Sequence, residues 1–531
     1  MKNNKKHILF FSTVLLVTAC SNESVDEEIN ETGDVTGEAI AIENSDSDTS
    51  TSENEEGKTT VHLIASEEEW SLNEDLSFDA WVYNNTLPGE EIRVQEGEEV
   101  EIKLTNDLPV PTALHLHGIP LDHEMDGVPG ITQNVVMPGD SFTYEFTADA
   151  PGTYWYHSHQ DGATQVEKGL YGPLVIETEN DQKYDIDEVL VLDDYSSMME
   201  DMEDHGNMED RGNMEGVEDH GNMEGMMDHE SHGAVEEMTH DEMMAHMYDT
   251  MLINGKASPE IERVEVQEGD AVKLRFVNAG LFTQVIQIPD HNFKVTHYDG
   301  QKVNEPETLS NTSVTLGAAE RVDIEIEANN PGAYGVEIFA DTNKDNLHTV
   351  LPFVYEEYTE EELATKEAEA EFDTLSYGKP AESLNLEEVT KEFDMVLDSE
   401  DGGETFTINN KKMDTETAEG HEVYEVEEGD VVKMTIANET EVDHPMHLHG
   451  HFFQVISRNG EEVSGSPIIM ETLNVREGEE YEIIFEADNP GNWLFHCHEF
   501  HHASNGMVSE IKYEGFEPSF TPDPNAPNKP E

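Results

Sequence analysis

The sequence reads as an all-β protein made of three related Greek-key β-sandwiches, and three observations carry that reading. Val94-Gln95-Glu96-Gly97 leads to Asn106, Val266-Gln267-Glu268-Gly269 leads to Asn278, and Val426-Glu427-Glu428-Gly429 leads to Asn438. A second motif, Ala150-Pro151-Gly152, recurs as Asn330-Pro331-Gly332 and Asn489-Pro490-Gly491. Repetition of this kind marks successive copies of one supersecondary unit. Between the motifs lie short β-branched and aromatic runs broken by Gly, Pro, Asn and Asp, the pattern of short strands in a sandwich.

Taken in order, residues 1–20 open with Lys2, Lys5 and Lys6, continue as an apolar run from Ile8 to Val17, and end at Thr18-Ala19-Cys20. This is a short secretory segment rather than a membrane span. Val17-Thr18-Ala19-Cys20 resembles a bacterial lipoprotein cleavage box, which makes Cys20 the lipidated first residue of an extracytoplasmic, membrane-anchored (or secreted) protein. Residues 21–58 are acidic and polar without an apolar pattern, as expected of a disordered tether. The first sandwich spans 59–180, the middle one 181–356 with an insertion at 198–247, and the third 385–515. The acidic connector 357–384 has helix formers over Glu361–Glu371. The tail 516–531, with five prolines, is expected to be disordered.

Formal net charge is -92, from 27 basic and 119 acidic residues. Such a field argues against nucleic acid and against direct binding to anionic membrane surfaces. Because the acidity is spread over the whole chain, adaptation to high salt is favoured over a local collector of cations. With Cys20 lipidated and Cys497 engaged elsewhere, the two cysteines form no disulfide.

Chemistry concentrates in His496-Cys497-His498-Glu499-Phe500-His501-His502, with Met507 ten residues after the cysteine. Side chains alternate faces along a strand, so Cys497 points one way and His496 and His498 the other. A thiolate, imidazoles and a distant thioether form the trigonal ligand set of a blue-copper site. Further pairs occur at His115/His117, His157/His159 and His447/His449, with His444 just ahead of the last. Nine residues beyond the repeat asparagine stand His115, Gln287 and His447; six beyond the repeat proline stand His157, Glu337 and His496. Only the outer copies keep the imidazoles. Their pairs must meet between the first and third copies, and the middle copy is expected to be a spacer.

These four motifs resemble those of the multicopper oxidases, the laccases, cuprous oxidases and ferroxidases, over roughly residues 60–515. The resemblance implies cupredoxin domains and four copper ions. It implies that His444, Cys497 and His502 hold type 1 copper with Met507 as axial neighbour, that His115 and His447 hold type 2 copper, and that His117, His157, His159, His449, His496 and His498 hold the type 3 pair. Asp126, in Met125-Asp126-Gly127-Val128-Pro129, resembles the family's proton-relaying carboxylate. Many bacterial relatives have Glu directly before the last type 1 histidine; here that position is His501. Cys497 is expected to carry electrons between the copper sites.

The insertion holds twelve of 22 methionines and six of 25 histidines. Thioether sulfur favours Cu(I), so Met208, Met214, Met223, Met226, Met227, His205 and His220 are candidates for copper capture. In cuprous oxidases of the family a Met-rich segment lies in the third domain, whereas here it interrupts the second. The expected activity is oxidation of a reductant, Cu(I) first, coupled to reduction of O2 to water, with a role in copper tolerance. A laccase-like oxidase of phenols, a ferrous or manganous oxidase using Asp443 or Glu499, and a non-catalytic copper-binding lipoprotein are the alternatives. A monomer is expected.

Overall fold

A computed structural model describes residues 51–53, 58–178, 181–197, 246–400, 403, 405–415 and 417–531. Cys20 and the insertion residues His205, Met208, Met214, His220, Met223, Met226 and Met227 lie outside them. The described residues form six sheets, two to each sequence copy. In each copy the first long strand pairs in parallel with the strand ending at the repeat asparagine: Lys58–Ser71 with Glu99–Asn106, Ile186–Tyr195 with Ala271–Asn278, and Lys391–Glu400 with Val431–Asn438. The second sheet carries the strand after the repeat proline, Gly152–His157, Ala333–Ala340 or Asn492–Cys497. Apolar residues of both sheets meet between them, as Leu63, Ile102 and Leu104 do with Ile92, Leu116 and Tyr154 in the first copy. These are cupredoxin-like sandwiches.

The repeat asparagine has a structural task that explains its recurrence. Each is buried at a strand end, and its amide donates to two carbonyls: Asn106 to Val110 (2.8 Å) and Val136 (2.8 Å), Asn278 to Phe282 (2.9 Å) and Leu316 (3.0 Å), Asn438 to Val442 (2.6 Å) and Val475 (2.9 Å). A buried side chain that satisfies two otherwise orphaned carbonyls fixes the loop leading into the next strand. That strand is where the first His-x-His pair of each outer copy lies.

Three sequence expectations need correction. Thr51–Glu53, assigned to the tether, pairs antiparallel with Thr59 to Val61. The connector forms no helix over Glu361–Glu371: Ala364 N–H donates to Ala333 O (2.9 Å), and Ala370–Glu371 adds to the strand Thr312–Leu316. An open sheet edge offers backbone hydrogen bonds that outweigh weak helix propensity in a run of like charges. The tail 516–531 has no sustained strand or helix, yet it is docked on the first copy. Val135 N–H donates to Asn528 Oδ1 (3.0 Å), Lys529 N–H to Gln160 Oε1 (2.8 Å) and Asp161 N–H to Lys529 O (2.9 Å). Side-chain amides thus hold an extended, proline-rich segment that no periodic pattern could reveal. Its Glu531 is buried beside His159 and His496.

Candidate metal centre

Local strand register brings the imidazoles together. His115 lies opposite His157 in the first copy and His447 opposite His496 in the third. The same register in the middle copy pairs Gln287 with Glu337. The repeat arithmetic therefore identifies structurally equivalent positions.

Eight buried histidines from the outer copies converge between them. Ligand-capable atoms lie within 4.8 Å of one another in His115/His447/His449, in His117/His157/His498 and in His159/His449/His496. Most rings are turned by a hydrogen bond at one nitrogen. His115 Nδ1–H donates to Asp126 O (2.7 Å), His157 to Ser158 O (2.8 Å), His447 to Glu471 O (3.2 Å) and His496 to Cys497 O (2.9 Å). The opposite nitrogens of His115, His157 and His447, with Nε2 of His498 and both ring nitrogens of His159, are buried without a hydrogen-bond partner. An orphaned buried polar atom costs about 1–3 kcal/mol, so the arrangement fits a bound cation. Burial, then neighbouring imidazoles, hold His117, His157, His159, His447, His496 and His498 well below the usual histidine range. Neutral rings offer the lone pairs that a metal needs.

Asp126 stands at the edge of this cluster. His449 Nδ1 lies 3.1 and 3.0 Å from its two carboxylate oxygens, and His115 Nδ1 lies 3.4 Å from Oδ1. Burial pushes its carboxyl up, but His449 and His115 more than offset this and hold it well below the usual range. Gly127 makes the turn possible: its φ is +84°, and a Cβ there would lie 1.8 Å from Leu114 O. Glu531, which the sequence reading missed, places Oε1 3.3 Å from His159 Nε2 and 3.2 Å from His496 Nδ1.

A second group lies on the other face of the His496–His498 segment. His444 Nδ1 and His502 Nδ1 are 3.1 Å apart, and each is 3.7 Å from Cys497 Sγ. A first-row metal held at about 2.0 Å by N and about 2.3 Å by S in one plane keeps N and S roughly 3.7 Å apart, which both N–S distances match, while the shorter N–N distance corresponds to a narrower angle between the two imidazoles. The outer nitrogens are also engaged: His444 Nε2 is 2.8 Å from Thr440 Oγ1, and His502 Nε2 is 3.3 Å from Glu499 Oε2. Such partners fix ring orientation. Glu499 caps the short helix Phe500–Ser504 by accepting from His502 N–H (2.7 Å), which sets the angle of His502. Met507 is buried in the same core, and its carbonyl accepts from Cys497 N–H at 3.1 Å.

The roots of the insertion lie near this group. Met247 and Tyr248 belong to the same buried apolar cluster as Phe500, the first residue of the helix that carries His502. Tyr248 Oη–H donates to Glu167, whose carboxyl is pushed up to about 7 by burial, countered in part by His501. Asp443, by contrast, is engaged: it accepts from Thr283 (3.0 Å) and Asn474 (3.4 Å) and lies 3.9 Å from Arg476.

Three successive multicopper oxidase family models match residues 65–181, 222–360 and 389–515, which together cover more than half of the chain. The chain is 28% identical over 437 residues to multicopper oxidase MmcO of Mycobacterium tuberculosis, covering 81% of this chain and 82% of that protein. It is 32% identical over 277 residues to copper resistance protein A of Pseudomonas syringae pv. tomato, covering 49% and 44%. In fold it is similar to the crystal structure of Fet3p, a multicopper oxidase that functions in iron import, with a TM-score of 0.68 and 23% identity over 86% of this chain and 90% of that one.

Proposed function

Because the chain belongs to the multicopper oxidase family, and is thereby an oxidoreductase with copper cofactors, we propose that its reductant is Cu(I) and its role copper tolerance. The observation that carries this reading is the placement of Met247 and Tyr248, the last residues before the chain resumes its sandwich, in one apolar cluster with the helix of His502. A segment rich in methionine, rooted there, can deliver a soft cation to the edge of the Cys497 group.

In this reading His444, Cys497 and His502, with Met507 nearby, hold type 1 copper. His115 and His447 hold type 2 copper, and His117, His157, His159, His449, His496 and His498 hold the type 3 pair, four ions in all. Bound copper supplies one-electron redox chemistry, and four electrons with four protons convert one O2 to two waters. Cys497 joins the two groups through its own backbone to His496 and His498, a link of a few covalent bonds. Asp126, ionised and within hydrogen-bond reach of His449, would accept protons at its carboxylate oxygens and pass them on. Asp126→Asn is expected to slow O2 reduction by about 10²-fold or more while leaving the blue absorption in place; unchanged turnover removes Asp126 from proton transfer.

A second donor class has its own observation. Glu499 is a half-buried carboxylate 3.3 Å from His502 Nε2, a harder ligand suited to Fe(II) or Mn(II). O2 uptake by the copper-loaded protein distinguishes the readings, with Cu(I), Fe(II) and a phenol as donors, for the full chain, for a form lacking residues 199–245, and for Glu499→Gln. If the deletion lowers the Cu(I) rate alone, the cuprous reading holds. Loss of only the Fe(II) rate in Glu499→Gln would move the assignment to a ferrous oxidase, and phenol preference in every form to a laccase.

Among the described residues no helix is long and apolar enough to cross a membrane. An anchor through a lipid on Cys20, holding an extracytoplasmic monomer, is the companion proposal. Cys20→Ala should then move the protein from the membrane fraction to the soluble one.

A further inference from the structure

The middle copy has no imidazole at the equivalent positions, yet it reaches the histidine cluster through Arg321. This guanidinium is 1% exposed and touches both neighbouring copies. Its Nε–H donates to Thr153 O of the first copy (3.1 Å), and Nη1–H donates to Ala319 O (3.1 Å) and also to Glu471 Oε1 of the third copy. Asp299 of the middle copy, fully buried, accepts from Arg321 N–H (2.9 Å) and from Thr472 N–H (3.0 Å), which fixes the backbone on either side of this contact.

Glu471 in turn faces two of the histidines. Its Oε1 is 3.3 Å from His117 Nδ1, and its backbone carbonyl accepts from His447 Nδ1–H at 3.2 Å. The glycine of His115-Leu116-His117-Gly118 makes room for the arrangement. A Cβ on Gly118 would lie 2.7 Å from Arg321 Nη2 and 2.8 Å from Glu471 Oε1, and its φ is +85°. Buried ion pairs are weak evidence for stability, whereas partners that orient metal-ligating histidines govern metal affinity or activity by roughly 10–100-fold.

We infer that Arg321 and Asp299 of the middle copy are positioning residues that act through Glu471 to orient His117 and His447 for metal binding. The middle sandwich is then part of the metal centre's supporting shell rather than a spacer. The inference rests on the ligand assignment proposed above.

The test uses the full chain loaded with copper and compares Arg321→Lys and Glu471→Gln with Arg275→Ala, which alters the same interface without touching Glu471. Copper per chain, the electron paramagnetic resonance spectrum, the blue absorption of the Cys497 group and the unfolding midpoint are read together. Arg321→Lys and Glu471→Gln should keep the blue absorption, bind copper at the eight-histidine cluster roughly 10–100-fold more weakly, and change its resonance spectrum. Arg275→Ala should lower only the midpoint. If Arg321→Lys and Glu471→Gln instead retain full copper and an unchanged spectrum and lose only stability, the inference fails. If Arg321→Lys does not fold, the near-isosteric Glu471→Gln decides by the same criteria. A wild-type protein that takes up copper at the Cys497 group alone would overturn the ligand assignment itself, and this inference with it.

Discussion

The outer and middle sandwiches share a topology and a set of equivalent positions, but they use them for opposite purposes. In the first and third copies the strand ending at the repeat asparagine alternates between buried and partly exposed positions, as Glu99–Asn106 and Val431–Asn438 do. In the middle copy Ala271–Asn278 is buried at every position after the first. The cause is the neighbouring sandwich: Arg275 Nη1–H donates to Thr153 Oγ1 (3.0 Å) across the interface, while Lys273 Nζ lies 3.0 Å from both Asp181 and Asp323. Where the outer copies bury neutral imidazoles around a place for metal, the middle copy buries cations among carboxylates. In a chain with 27 basic and 119 acidic residues, lysine and arginine held inside an interface mark where charge has a fixed partner. A duplicated scaffold can lose its imidazoles and still pack against the two histidine-bearing copies through buried arginines.

The largest break in this comparison comes from making the third copy resemble the middle one. His447→Gln with His496→Glu reproduces Gln287 and Glu337 at the equivalent positions. O2 reduction should fall by far more than the roughly 10–100-fold that follows loss of an outer partner, with fewer copper ions per chain by elemental analysis. Retained turnover would show that the equivalence does not define the metal centre. Next is Arg275→Ala, which takes the guanidinium from buried Asp323 and partly buried Asp187 but leaves Lys273 beside Asp323 and Arg93 beside Asp187. Because each carboxylate keeps a cation, the cost should fall below the about 3–5 kcal/mol of a fully broken buried pair, read as a shift of the denaturation midpoint with the copper spectrum intact.

The smallest effect concerns Glu320, where the middle and third copies meet. It accepts from Gly317 N–H (2.6 Å) and Asn474 N–H (2.9 Å), and burial, then Asp299, raise its carboxyl to about 7. Above the ordinary glutamate range the unfolded chain releases this proton while the folded one keeps it. The group's contribution to stability is therefore full below that range and is lost as pH rises through about 7. Glu320→Gln removes this titration, so the stability difference between wild type and variant should move against the wild type between pH 5 and pH 8. A constant difference would place the carboxyl in its ordinary range.

The contrast also separates what could be read from sequence. His115, His157, His447 and His496 were legible because strand alternation and repeat spacing are local and periodic. Asp126 is legible only through the resemblance of Met125-Asp126-Gly127-Val128-Pro129 to a family motif; in the fold it stands in a turn whose Gly127 admits no side chain. Glu471, Arg321 and Asp299 carried no such signal. Arg321 and Glu471 are 150 residues apart; Arg321 opens the acidic strand Arg321–Glu327, and Glu471 stands between the short strands Ile468–Met470 and Thr472–Val475. The tail was misread for a related reason: Gln160 and Asn528 hold it through side-chain amides, which leave no hydrophobic period. In the connector, sheet-edge pairing at Ala364 and Ala370–Glu371 decided against the helix that composition allowed.

Residue type and spacing alone establish the three sandwiches, the loss of imidazoles from the middle one, and a set of side chains that points to copper. All three follow from residue type and spacing along single strands, where geometry is fixed by the backbone. Packing between sandwiches brought the middle copy to the cluster through Arg321 and Glu471. Tertiary contacts also place Glu531 of the tail beside His159 and His496, and the root of the insertion near the helix of His502. Those relations join residues from different sheets, and the packing of one sandwich on another has no period that the linear sequence must display.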